Sequence, residues 1–234
     1  SKIRHNAMSL LHERTTIEWY NWSGQSQINN AQAYLGYNWL LQSEIIEQLT
    51  QAISSSNNSE EQKAISYLRS FLLEENCTFT LKSLSQSISR IKMKSVIDFG
   101  VQKIHYLDIP YHLANEPDQN KREMLVKATS EIINKINPII HNKMTELVSR
   151  AQSLGFDSVI ELASSLRHYD VKNVKELAVE AIKLTNQPYN RALKKILPIE
   201  MKLSSLKEYD MPRLLKNRKF DKFFHRSLLK AAMH

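Results

Sequence analysis

The chain has 234 residues, 42% of them hydrophobic and 24% charged, and this balance excludes an intrinsically disordered protein. The formal net charge is +8, and the whole surplus lies in residues 191–234, which hold 12 Lys and Arg against 4 Asp and Glu. Only four glycines occur, and β-rich folds consume glycine in turns and bulges, so we predict an all-α, multi-helix array.

The first predicted helix, about residues 15–39, is rich in aromatic side chains. It could break near Gly24, and it continues into a helix over 40–53. The aromatic residues could form a ligand cage, but buried anchors of helix packing are commoner, and that interpretation is favoured. The residues concerned are Trp19, Tyr20, Trp22, Tyr34, Tyr37 and Trp39.

The next segments alternate helix with one short hairpin. Residues 54–59 form a polar loop that ends in a helix cap, and a helix follows to about 75. An amphipathic helix is predicted over 80–93. Residues 96–109 alternate in polarity around Gly100, which predicts a short β-hairpin closed by Pro110.

The second half is predicted to be helical throughout. A long helix begins at 115–118 and runs to about 136, and Asn137-Pro138 restarts it as a helix that Gly155 ends. Three shorter helices follow, and Pro198 should kink or break the third. The predicted spans of these three are 156–166, 171–185 and 188–207. The whole chain is predicted to form a single helical domain, 1–234.

A terminal basic amphipathic helix is predicted from residue 210 nearly to the end of the chain. Asp210 is its expected N-cap, with Pro212 in the first turn, so Asp210→Ala should cost about 1 kcal/mol. Nucleic acid, an anionic membrane surface or a protein partner could bind this helix. Asp210 and Asp221 would face phosphate, which favours the simpler alternative of a solvated cationic face over a hydrophobic seam. The expected interface residues are Arg213, Phe220, Phe223, Phe224, Arg226 and Leu228.

The sequence offers no complete catalytic constellation, and no catalytic or metal-ligating residue is predicted. His12-Glu13 is not followed by the second histidine of a His-Glu-x-x-His zinc helix, and no glycine-rich phosphate loop occurs. The single cysteine, Cys77, excludes an intrachain disulfide and a multi-cysteine metal site. No run approaches the roughly 20 apolar residues of a membrane span. A reducing, cytoplasmic location is expected.

Several fragments, in chain order, resemble the N-terminal helical half of the zinc metallopeptidases related to oligoendopeptidase F, thimet oligopeptidase and peptidyl-dipeptidase A. Each fragment is short, and the resemblance rests on their order and spacing over most of the chain. The fragments are Tyr20–Gly24, Ile109–Tyr111, Ala114–Asp118 with Arg122, Leu154–Ser158, Thr185 with Tyr189, and Tyr209–Leu214 with Phe220, Asp221, Phe223 and Phe224.

The resemblance implies an all-helical lobe that forms one wall of a peptide groove and is not catalytic by itself. In that family the zinc-binding motif follows this region, so the zinc and the catalytic polypeptide are implied outside this sequence. The chain could then be a proteolytic fragment, one subunit of a split enzyme, or a remnant that binds peptides or partners without cutting them. Arg122, Asp210 and Asp221 are candidate structural anchors, with solvated helix charges as the simpler interpretation. The alternatives are a free-standing binding module for nucleic acid or a protein partner, and a homodimer through the basic helix.

Overall fold

A computed structural model describes residues 2–25, 30–197 and 203–216. Within them the chain is helical apart from one two-stranded antiparallel sheet, which confirms the predicted fold class. The elements are α1 Lys2–Trp22, α2 Ser43–Ser55, α3 Ser59–Thr80, α4 Lys82–Lys94, β1 Val96–Phe99, β2 Gln102–His105, α5 Ile109–Asn115, α6 Gln119–Ala128, α7 Ser130–Ser153, α8 Val159–Arg167, α9 Val171–Ile196 and α10 Met211–Leu215. Short 3-10 helices lie at Asn30–Tyr34, Asn38–Leu41, Tyr106–Asp108, Leu203–Ser205 and Glu208–Asp210.

The chain divides into two compact units, each with its own hydrophobic core. Unit 1 comprises Ser1–Gln86 and His141–Glu176, and unit 2 comprises Ser87–Ile140 and Leu177–His234. Whether these two units act as the single domain predicted over 1–234 is not tested by this division, and the single domain stays a prediction.

The core of unit 1 is built on the α2–α3 helical hairpin. Its most deeply buried leucines come from α1, α3 and the 3-10 helix Asn38–Leu41, and α8 adds a further buried leucine. Leu49 and Leu72 show how the apolar stripes of α2 and α3 bring leucines to this core. The fully buried leucines are Leu10, Leu40, Leu72 and Leu73.

The core of unit 2 forms where the hairpin packs among helices. Ile97 of β1 pairs directly with Ile104 of β2, and both side chains are buried. The predicted alternation is therefore real, because successive strand residues point to opposite faces and the isoleucines share the inward one. Leu113 of α5, Leu125 of α6 and Ile136 of α7 complete this core.

The predicted start of the first helix near residue 15 was wrong, whereas the possible break near Gly24 is confirmed. α1 begins at Lys2 rather than near residue 15, and it ends at Trp22, where Gly24 follows with φ +73°. Glycine adopts a left-handed conformation more readily than residues with a side chain, so Gly24 favours the end of the helix at this point. Residues 30–41 form two short 3-10 helices instead of continuing α1.

Two proline positions were also misjudged. Pro138 lies inside α7 and Pro188 inside α9, so neither residue ends a helix. Proline removes one backbone hydrogen bond, to the carbonyl four residues earlier. Those carbonyls belong to Asn134 and Leu184, both exposed residues, so water can hydrate them and the helix can continue. The break instead falls at Thr129, between α6 and α7. The expected break at Pro198 lies outside the described residues.

The cap of α3 is Asn58. Its Oδ1 accepts hydrogen bonds from the backbone N–H groups of Glu60 and Glu61, at 3.0 and 3.3 Å. We expect Asn58→Ala to lower the free energy of unfolding by about 1 kcal/mol, because two N–H groups of the first turn lose their acceptor. Urea denaturation measures this cost. Asn57→Ala, in the same loop, is the control and should cost far less; equal costs would contradict the capping role.

Candidate functional site

The C-terminal described segment of unit 2 is held by a buried ion pair. The Nη2 of Arg122 lies 2.6 Å from Oδ1 of Asp210, and its Nε donates to the same oxygen at 3.0 Å. Both side chains are almost completely buried, 2% and 0% exposed. Arg122 comes from α6, and Asp210 ends a 3-10 helix 88 residues later in the chain.

Each remaining polar atom of the pair has a partner. Arg122 Nη1 donates to the carbonyls of Glu116 and Pro117, at 2.8 and 2.9 Å. Asp210 Oδ2 accepts from Gln119 Nε2 at 2.8 Å and from the backbone N–H of Lys207 at 2.9 Å. A buried ion pair persists only when its remaining donors and acceptors are satisfied in this way. The ion pair therefore connects residues 116–122 to residues 207–210. We call the pair and these hydrogen-bonding partners the Arg122–Asp210 joint.

The side-chain capping role predicted for Asp210 at the last helix is wrong. Asp210 does occupy the position before α10, but its side chain makes no capping bond to that helix. The carboxylate points instead to Arg122, Gln119 and the N–H of Lys207, which begins the preceding 3-10 helix. The carboxylate of Asp210 therefore pairs with the charged side chain of Arg122 and not with the backbone N–H groups of α10.

Only the start of the predicted basic interface is described. Arg213 Nη1 donates to the carbonyl of Asn115 at 3.4 Å, and Lys216 Nζ donates to its side-chain oxygen at 2.7 Å. Arg213, which was expected to face a partner, thus helps together with Lys216 to fasten α10 to the end of α5. The other predicted interface residues and one predicted anchor lie outside the described residues: Phe220, Phe223, Phe224, Arg226, Leu228 and Asp221.

Unit 1 contains a buried polar network that the sequence analysis missed. Glu75 of α3 is 1% exposed, and its two carboxylate oxygens contact Tyr34 Oη at 2.7 Å and Arg14 Nη1 at 2.9 Å. Burial raises the pKa of Glu75, although Tyr34 and Arg14 act in the opposite sense. The sequence does indicate that Glu75 could be buried. It follows Leu72 by three residues and therefore lies on the same apolar face of α3.

The surroundings of this network share its low solvent exposure. Burial raises the pKa of Tyr34 well above its usual range, and the hydrogen bond to Glu75 adds to that shift. Lys82 Nζ lies 5.2 Å from the centre of the Tyr34 ring and has no hydrogen-bond partner among the described residues. Burial lowers the pKa of this ammonium group. Burial also raises the pKa of the Cys77 thiol, which makes the thiol a poor nucleophile.

An apolar groove of about 840 Å³ opens between α1, α2 and α3 in unit 1. Its charged lining residues are Arg4 and Glu61, and the carboxylate of Glu61 accepts a hydrogen bond from Ser56 at 2.8 Å. The apolar lining includes Ile3, Met8, Leu49, Ala52, Ile65 and Phe71. Volumes of this order are typical of ligand sites.

The aromatic residues of the first segment do not share one role. Tyr34 is buried, as expected of a packing anchor, but Trp19 and Trp22 are 59% and 79% exposed. The packing interpretation is therefore wrong for these two tryptophans. They fall on the outward side of α1, whose buried residues are Ala7 and Leu10.

The comparisons with known proteins add no family. No family model, no curated protein and no solved structure matches this chain. The described residues contain no group of three or more His, Cys, Asp or Glu side chains placed to hold a metal ion. Among the same residues, no helix is long and apolar enough to cross a membrane.

Proposed function

We propose that this chain is the helical lobe of a zinc metallopeptidase that acts on peptides, and that it works with a polypeptide carrying the zinc-binding motif. In this proposal the chain forms one wall of the peptide groove and performs no catalytic step itself. The partner supplies the zinc ion and the general base. The proposal rests on the ordered sequence fragments that resemble this class of peptidases.

The Arg122–Asp210 pair is the structural observation that supports it. Two of the fragments that carry the resemblance are separated by most of the second half of the chain. One contributes Arg122 and the other Asp210, and the two side chains form one buried pair at 2.6 Å. A shared structural role explains why both fragments contain these charged residues.

The same joint holds the residues that precede most of the proposed partner interface in the sequence. Residues 203–216 are fastened to α5 and α6 through Asp210, Arg213 and Lys216. The sequence that follows them contains Phe220, Phe223, Phe224 and Leu228. Its apolar residues are the proposed contact with the catalytic polypeptide, because an interface is most apolar at its centre.

Purification of the full chain from its source cell tests this proposal. We expect it to co-purify with a polypeptide that contains His-Glu-x-x-His, to hold zinc in the complex, and to hydrolyse a fluorogenic peptide until the zinc is chelated. Phe223→Asp with Phe224→Asp should release the partner. Val101→Asp, at a fully exposed apolar residue of the hairpin turn, is the matched control and should retain it.

A chain that purifies alone, without zinc and without peptide hydrolysis, would overturn the proposal. A salt titration of the complex separates lobe association from phosphate binding. Nucleic-acid binding weakens steeply between low and moderate salt, whereas an apolar interface survives that change. Loss of the partner in moderate salt together with retention of nucleic acid at low salt would favour a free-standing nucleic-acid-binding module.

A further inference from the structure

The C-terminal end of α1 carries an exposed aromatic pair. Trp19 and Trp22 are three residues apart and therefore lie on one face of the helix. Their ring centres are 5.3 Å apart and the rings are tilted by 40°. Tyr20, between them in sequence, is 41% exposed. Tryptophan rings contribute large binding surfaces, and such a solvent-exposed pair is not explained by packing within unit 1.

The charged residue of α1 nearest to this pair in sequence is acidic. Glu18 lies four residues before Trp22, on the same side of the helix, and its side chain is 48% exposed. The carbonyl end of α1 adds partial negative charge, and its last turn, all of it described, contains no basic residue. Two tryptophan faces add the negative side of their ring quadrupoles.

The nearest cation on α1, Arg14, pairs mainly with a carboxylate outside this helix. Arg14 Nη1 lies 2.9 Å from the buried Glu75, whereas Arg14 Nε is 4.0 Å from Glu18. The closer contact with a buried carboxylate directs Arg14 inward. The contact of Arg14 with Glu18 is therefore the longer of the two, and the half-exposed Glu18 carboxylate can also contact a ligand.

We propose that Trp19, Trp22 and Glu18 form a recognition site for a cationic side chain, arginine or lysine, presented by a peptide or protein segment. The cation lies against a tryptophan face, and the carboxylate of Glu18 pairs with it. An anionic partner is disfavoured, since the ring faces, the carboxylate and the helix end all repel it. The site does not depend on the proposed peptidase role, because it lies on α1 and involves no residue of the Arg122–Asp210 joint.

Tryptophan fluorescence of the full chain tests the site. Trp39 is the remaining tryptophan, so the Trp39→Phe variant reports on Trp19 and Trp22 only. We expect a short peptide with two arginines to change the emission in a saturable way, and a peptide of equal length with glutamine in their place to have no effect. Glu18→Gln should weaken binding about 2- to 5-fold, and Trp22→Leu should abolish the response.

The controls keep the test specific to cation recognition. Glu60→Gln changes an exposed carboxylate on α3 and should leave the affinity for the arginine peptide unchanged. Circular dichroism should show the same helix content in every variant. An equal response to the glutamine peptide would overturn the proposal, as would no saturable response to arginine. A blue shift with phosphatidylcholine vesicles and none with the arginine peptide would assign the tryptophans to a lipid surface instead.

Discussion

Asp210→Ala is expected to lower the free energy of unfolding by about 3–5 kcal/mol, because it leaves a buried guanidinium without its counter-ion. Arg122 is 2% exposed and cannot recover the lost partner from water. The N–H of Lys207 loses its acceptor as well, and Gln119 Nε2 keeps only the longer hydrogen bond to the carbonyl of Ser205. Urea denaturation, followed by circular dichroism, measures the change. A helix cap alone would account for about 1 kcal/mol.

Two further variants separate the ion pair from capping. Asp118→Ala removes an exposed aspartate that caps α6 by accepting from the N–H groups of Asn120 and Lys121, so it should cost only about 1 kcal/mol. Arg122→Met combined with Asp210→Leu removes both charges and should recover much of the loss. Equal costs for Asp118→Ala and Asp210→Ala would contradict the role of Asp210 as a buried anchor.

Glu75→Ala is expected to cost about 2–4 kcal/mol, since it leaves the buried hydroxyl of Tyr34 unpaired and strips Arg14 of its closest carboxylate. Arg14 is 25% exposed, so water can hydrate it in part, and the cost should be smaller than at Asp210. Glu75→Gln keeps the shape of the side chain and an acceptor for Tyr34. It should therefore cost less than Glu75→Ala in the same denaturation measurement.

The pH dependence of stability gives a second readout of Glu75. Its pKa in the folded chain is raised by burial, so the folded chain holds this proton at pH values where the unfolded chain has released it. Stability from this group is therefore complete below the ordinary glutamate pKa and falls as pH rises towards the raised folded value. Glu75→Gln should remove that decline. An unchanged profile in the variant would contradict the assignment to Glu75.

The parts of the fold that the sequence predicted well depend on neighbours in the chain. The hairpin was predicted because its alternation and Gly100 are local signals, and the structure pairs Ile97 with Ile104 across it. The start of α3 was predicted to within a residue, because a polar loop followed by two glutamates in the first turn is a local capping pattern. The proline errors have the opposite origin. Whether a proline ends a helix depends on the hydration of a carbonyl one turn away, which requires the tertiary structure.

In the candidate sites, too, the sequence revealed local features and missed those that depend on distant residues. The sequence identified Arg122 and Asp210 as charges of interest, and it assigned Asp210 to the nearest helix because only local partners are visible in a sequence. The structure brings Arg122 to it from 88 residues away. The exposure of Trp22 was invisible for the same reason, since an aromatic residue on a helix looks the same in sequence whether or not another element covers it.

The sequence by itself therefore determined the helical class, the hairpin and the concentration of positive charge near the C-terminus, because composition and periodicity carry this information. Only the tertiary structure decided that Asp210 is a buried ion-pair partner, that Glu75 lies in a polar network and that Trp19 and Trp22 face solvent. Burial is set by elements distant in the chain, and the energy of a charge or an aromatic ring depends on burial more than on its sequence neighbours.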